Sequence, residues 1–448
     1  MPPSGSQPDQ GLEPRVQSAV TSIEDLSQRF AKLLAEDPEH VHISVEGLAY
    51  ATIQSKIKEE LARDQDSLKR LVKALETAPP KSPLTYGALS IFFNLTRYRP
   101  VETEEQKRLN QLKAYANAGG KLQTDPLNDD AHVAERCKRV FEAGITPALV
   151  TRAKTSSAAS LSLIIAIIYS LSVTPSLRGQ LAQQGAVRLL IAAWSALPET
   201  ETETQPRRTA AQALARILIS TNPSLIFRQT SQSTAIRPLT SIIAPDPTAE
   251  TRDLLPTFES LLALTNLAST DNDTRHLIVR IAWDDIEEQL FSSNTRVSTA
   301  AAELLCNLVQ SPADALALFG DGSAKADTRI KVVLALADAE DEKTRSAAGG
   351  ALASLTGLDV VVRGVLAQPR GAAVVLGLCR DENEGLRHRG AVVVDNMLSH
   401  EGEVGESARE KLVAAGAVEA LTECAKKSRS TEVVHLVVQC LEVLLGEK

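Results

Sequence analysis

The chain has 448 residues, of which 43% are hydrophobic but only 3% aromatic, and its 48 basic and 56 acidic side chains leave a net charge of −8. That balance argues against a protein that grips nucleic-acid phosphates, which requires a basic face. The scarcity of aromatics argues against a sheet-based core and favours helices packed through Ala, Leu and Val.

The first fourteen residues, MPPSGSQPDQGLEP, are rich in Pro, Ser and Gln and lack the apolar core of a signal peptide, which predicts a disordered tail. Within 15–80, two charged amphipathic helices are expected, one over 16–36 with Thr21 and Glu24 at capping-box spacing, and one over 47–77. The sequence APPKSP (78–83) breaks the chain, and an array of helices is expected from about 81 to 448, its first helix spanning 84–98. Arg99-Pro100 ends that helix, and Thr103 to Gln106 has the pattern that opens a polar helix running to about Ala118. Its apolar stripe, Leu109, Leu112 and Tyr115, is expected to dock on the array and leave Glu104, Glu105, Lys107, Arg108 and Lys113 outward. Gly119-Gly120 and the stretch through Asp125-Pro126 are expected to be mobile.

The array itself is marked by four asparagines. Asn94, Asn266, Asn307 and Asn396 each stand late in an apolar segment: ALSIFFNL, LLALTNLAS, AAELLCNLV and AVVVDNML. The same frame fits near Ser170, Ile217, Ser354 and Val443, and from Ser170 the steps are 47, 49, 41, 47, 42 and 47 residues. A period of about 40–47 residues is the mark of HEAT or armadillo arrays. Segments opening at Gly144, Gly185 and Gly416 share a Gly followed by a short apolar pattern, as expected for the bend between the first and second helices of an armadillo unit. The predicted fold is therefore all-α, an armadillo-type right-handed superhelical solenoid. The 76-residue step from Asn94 to Ser170 exceeds one period, so an insertion is expected at about 99–133, and loops at 198–206, 244–251 and 337–344.

Chemistry is sparse. GDGSAK (320–325) lacks the ending of a phosphate loop and reads as a turn between helices. Cys137, Cys306, Cys379, Cys424 and Cys440 have no CxxC spacing and read as buried free thiols. The uncharged stretch 155–177 is long enough to span a bilayer, but its solid apolar core covers only Leu161 to Leu171, so a buried array helix is expected and no membrane span. No catalytic constellation, cofactor motif or metal-ligand spacing emerges, which predicts a binding protein and not an enzyme.

The insertion reads YGALSIFFNLTRYRPVETEEQKRLNQLKAYANAG (86–119), followed by AERCKRVFEAGITPALV (134–150). This run closely resembles the corresponding region of the UCS (Unc/Cro/She) family of myosin chaperones, and the resemblance thins to general armadillo character towards the C-terminus. It implies a cytoplasmic co-chaperone that binds the myosin motor domain and assists its folding and actomyosin assembly, often alongside heat-shock protein 90. Animal members carry an N-terminal tetratricopeptide domain. No 34-residue repeat of that kind appears here, so the chain is expected to be either a member without that domain or part of a longer protein.

Third helices line the concave side of an armadillo superhelix, so Asn94, Asn266, Asn307 and Asn396 are expected to offer a donor and an acceptor each to the backbone of an extended client. Phe93, Tyr98 and Leu262 would supply apolar contacts. The alternative is that each Asn bonds a neighbouring helix end. A generic armadillo scaffold or adaptor is the competing function. A nuclear-import adaptor is disfavoured, because that groove pairs Trp with Asn four residues later, and here those positions are Ser90, Leu262, Glu303 and Val392.

Overall fold

The computed structural model describes residues 22–36, 38–99, 106, 108, 109, 112, 125–246 and 252–446, and the backbone alone at 38 and 201–203. Among the described residues the ordered elements are all helices, with no strand. Nine of them form one continuous layer, each stacked on the next: Val41–Ala51, Pro83–Thr96, Ala158–Val173, Glu201–Ile219, Leu255–Ala268, Thr295–Leu308, Glu342–Leu355, Glu384–Ser399 and Thr431–Leu445. The last eight are the third helices of eight armadillo units, and every marker residue from Asn94 to Val443 lies on one of them. The chain is an armadillo-type solenoid. Stacking reaches back to Val41–Ala51, which Ile23–Glu36 covers on its open side.

These helices are sandwiched between neighbours, which explains their composition. All nine residues from Ala210 to Leu218 are buried, and four of them are alanine. Small side chains let helix axes approach to about 8–10 Å, and each large aliphatic one contributes roughly 1.5–3 kcal/mol through burial. Ala158–Val173 has no charge and buries Leu161, Ile164, Ile165, Ile167, Ile168 and Leu171, as a core helix should. Among the described residues no single helix is long and apolar enough to cross a membrane.

The three predicted bends are present. Gly144, Gly185 and Gly416 have φ of 89°, 93° and 85° and stand immediately before the second helices Ile145–Ala153, Ala186–Ala196 and Ala417–Lys427. A side chain would be strained in that left-handed conformation, so the Gly is a requirement of the turn. GDGSAK is the turn into Ala324–Ala337, whose cap Ser323 accepts from the Ala326 N–H at 3.2 Å. Unit five dispenses with a bend, and the 19-residue helix Asn272–Leu290 serves as its first and second helix together. In unit four the first helix is reduced to the single turn Pro223–Ile226.

Several boundaries differ from expectation. The stretch 47–77 is not one helix. It breaks after Ala51 and again at Asp64, whose carboxylate caps Gln65–Thr77 by accepting from Asp66 and Ser67. Thr21 lies outside the described residues, and the described cap of the first helix is Ser22, which accepts from the Asp25 N–H at 3.1 Å. The loop expected at 198–206 is largely helical, because Glu201–Ile219 begins at its fourth residue and carries Pro206 inside, at the cost of one backbone hydrogen bond.

Candidate binding face on the third-helix layer

The insertion leaves the array after Pro83–Thr96 and returns before Asp130–Glu142. One fully buried side chain closes it. Arg136 donates from Nε to the Leu95 carbonyl at 2.9 Å and from Nη1 to the Leu127 carbonyl at 2.7 Å, and it pairs with buried Glu59 at 3.3 Å. Arg99 adds a bond to the Asp125 carbonyl at 2.5 Å. The Ser55 hydroxyl holds the Asp125 carboxyl below its ordinary range, while burial, and then Arg136, lowers Lys58. Asp125 to Asn128 is thus fastened, not free as expected from its composition. The reason is long-range, since the groups that hold it come from two separate helices, Ser55–Arg63 and Asp130–Glu142, and from Arg99 beyond the end of a third.

Within the insertion, Gln106, Arg108, Leu109 and Leu112 are helical, whereas Glu104, Glu105, Lys107, Lys113 and Tyr115 lie outside the described residues. Leu109 and Leu112 are 49% and 66% exposed. The expected docking of this stripe on the array is therefore not what these two leucines do. They share a helix face with their side chains open, and Arg108 is exposed beside them.

The four asparagines are half-buried, and each reaches back about one period to the end of the preceding third helix. Asn94 donates from Nδ2 to the Ala49 carbonyl at 3.3 Å and the Thr52 hydroxyl at 3.2 Å. Asn266 donates to the Leu218 and Thr221 carbonyls at 2.7 and 2.8 Å, and Asn307 to the Thr265 carbonyl at 2.9 Å. Asn396 donates to the Ala353 carbonyl at 2.8 Å and the Thr356 hydroxyl at 3.2 Å. These acceptors are carbonyls and Thr hydroxyls at or just beyond the ends of the preceding helices, where intrahelical donors run short. The amide hydrogens expected for a client are accordingly used by the fold, and the Oδ1 atoms remain as acceptors, that of Asn307 already taking a long bond from Gln310 Nε2 at 3.5 Å. Asn266 and Asn307 occupy adjacent helices, while Asn94 and Asn396 stand in units one and seven.

Phe93, Tyr98 and Leu262 are half-buried and pack against the core. The Arg97 guanidinium lies 5.4 Å from the Phe93 ring centroid, and burial pushes the Tyr98 hydroxyl up to about 12. At the same end of the chain, Ile43 and Tyr50 on Val41–Ala51, Ile53 just beyond it and Tyr86 on Pro83–Thr96 are exposed apolar side chains, at 42%, 70%, 65% and 51%. Composition alone did not point to them.

A second cluster escaped the sequence reading. Glu259, on the third helix of unit four, accepts from Arg216 Nε and from Gln212 Nε2, both at 2.8 Å. Arg216 also lies 4.4 Å from the Tyr169 ring centroid and donates to its hydroxyl at 3.3 Å. Arg216 and Glu259 are buried, so three successive third helices are joined by one charge-assisted network. The available signal was a charge inside each apolar segment, 43 residues apart, close to one period.

No family model matches the chain. Its sequence is 31% identical over 372 residues to Ring assembly protein 3 of Schizosaccharomyces pombe, covering 82% of this chain and 48% of that protein. It is 28% identical over 446 residues to Protein unc-45 homolog B of Homo sapiens, covering 97% and 45%. The chain belongs to the UCS family. It spans less than half the length of those two relatives. Among solved structures, UNC-45 from Drosophila melanogaster superposes with a TM-score of 0.79 at 27% identity, over 96% of this UCS chain and 52% of that one. She4p shares the fold with a TM-score of 0.76 at 21% identity, over 95% and 57%. The UCS array thus extends from the N-terminal helices to the last unit.

Proposed function

We propose that this UCS chain is a myosin-directed co-chaperone. It binds the myosin motor domain along the third-helix layer, in the cytoplasm, and assists folding, stability and actomyosin assembly by binding, without turnover. The observation that carries the reading is the match along nearly the whole chain to unc-45 homolog B and to UNC-45 structures, one of them described as the myosin chaperone of C. elegans in complex with a Hsp90 peptide. Heat-shock protein 90 is accordingly the proposed partner chaperone.

The face suits an unfolded or partly folded client. Exposed Tyr50, Ile53 and Tyr86 offer apolar contact, and the Oδ1 atoms of Asn94, Asn266, Asn307 and Asn396 accept from a client backbone irrespective of its sequence. The insertion, with Arg108, Leu109 and Leu112 turned outward, adds a second contact beside the first units. Light scattering from a heated myosin motor fragment tests this. A stoichiometric amount of the protein is expected to suppress aggregation without ATP, and scattering that is unchanged by its addition would refute the reading.

A further inference from the structure

A cleft of about 560 Å³ lies where units three and four meet, walled by the first two helices of unit three, the end of its third helix and the short first helix of unit four. Its cause is local. The first helix of unit four is only Pro223–Ile226, against nine residues in Pro175–Gln183 of unit three, so the edge that a full helix would fill is open. The opposing wall is bare as well. Gly179 stands inside Pro175–Gln183, where Gly costs about 1 kcal/mol relative to Ala, yet a Cβ there would meet nothing within 4 Å. Packing does not require that glycine. A bare helix backbone at a cleft wall permits close approach of another chain.

The charges around this cleft are one-sided. In a chain of net charge −8, no acidic side chain lines it, and Arg188 and Arg228 do. Arg188 donates to the neutral Gln229 Oε1 at 2.7 Å, Arg228 is exposed, and among the described residues neither is paired with a carboxylate. Between them Leu225, 54% exposed, and Ile226 form an apolar floor. The far wall is fixed from both sides: Arg178 donates to Ser220 Oγ at 3.2 Å and Asn266 to the Thr221 carbonyl at 2.8 Å.

We propose that this cleft docks a short acidic peptide segment of a partner protein, its carboxylates on Arg188 and Arg228, an apolar side chain on Leu225 and Ile226, and its backbone against the bare wall at Gly179. The guanidinium forks suit carboxylates, and the apolar floor selects against a purely charged chain.

Fluorescence anisotropy with a labelled Asp-Glu-Leu-Glu-Asp peptide tests the site on the whole chain, with Lys-Arg-Leu-Arg-Lys and a thymidylate 12-mer as controls. The acidic peptide is expected to bind, and to bind less tightly as salt rises. Two variants are independent of one another: Arg188→Glu with Arg228→Glu reverses the charge, and Gly179→Leu fills the cleft on a helix that it also favours. Each is expected to weaken binding at least about tenfold with melting unchanged or raised. No binding up to about 1 mM, equal binding by both variants, or preferred binding of the oligonucleotide overturns the proposal.

Discussion

Asn266 on one third helix donates its side-chain amide to the carbonyl of Thr221, just beyond the end of the preceding one, at 2.8 Å. The bond spans 45 residues, and its counterparts at Asn94, Asn307 and Asn396 span 40 to 45. The ladder is thus a set of rivets between units before it is anything else.

Replacing Asn266 and Asn307 together by Ala is therefore expected to lower stability, which reverses what a purely groove-facing amide would do. Three helix-end carbonyls lose a donor, each bond contributing about 0.5–1.5 kcal/mol. Urea unfolding followed by circular dichroism checks this. An unshifted midpoint would remove the rivets from the account.

Arg136→Met is expected to cost about 3–5 kcal/mol, because it strands buried Glu59 and frees two carbonyls, and the lower end applies since Arg63 also pairs with Glu59. Adding Glu59→Gln should recover part of the loss. Thermal melts of the single and double variants decide the matter, and two equal melting curves would mean that the stranded charge is not the cause.

Asp341 caps Glu342–Leu355, and the Thr344 N–H, first among several bonds, holds its carboxyl below the ordinary 3.8. A depressed folded value stabilises above the unfolded one, and that contribution is lost as pH falls through the folded value. Asp341→Ala should cost about 1 kcal/mol at pH 7, and the gap to the parent should close as pH falls below that range. A gap that is constant with pH would show that the carboxylate charge plays no part.

Burial raises the thiols of Cys137 and Cys440 to about 12 and Cys379 well above its ordinary value, while Cys306 is only half-buried. Ellman's reagent at pH 8 should label Cys306 first and leave Cys137, Cys379 and Cys440 until the chain unfolds. Prompt labelling of four or five thiols in the native protein would contradict the packing.

Exchanging 101–124 for a short Gly/Ser linker while keeping Asp125 to Asn128 should change stability by no more than about 0.5 kcal/mol, since both anchoring carbonyls remain. Protection of the myosin motor should fall. Full protection by the shortened protein would remove the insertion from the proposed contact.

What was legible in the sequence followed from rules that act along a few residues. Gly144, Gly185 and Gly416 announced their turns because only Gly enters the left-handed region without strain. The recurring amides gave the register of the third helices, but not their partners, because an Asn offers a donor and an acceptor and sequence does not say which one the neighbouring unit uses. Arg216 and Glu259 were passed over although they sit one period apart, since a lone charge in an apolar helix has no visible partner until the units are stacked. The fused helix Asn272–Leu290 has no Gly or Pro to interrupt it, in keeping with the absence there of a bend like those at Gly144, Gly185 and Gly416. Leu109 and Leu112 make a docking stripe by spacing alone, and spacing does not supply a surface to dock on.

The single guanidinium that holds Leu95 and Leu127 makes the array indifferent to the length of what lies between them. The chain leaves and re-enters at one buried point, so a longer or shorter segment transmits no strain to either neighbouring unit. Closing a loop costs only about 0.6 kcal/mol more for each doubling of its length. Selection can therefore vary this segment as a cassette, altering reach and contact chemistry while the solenoid beneath keeps its geometry.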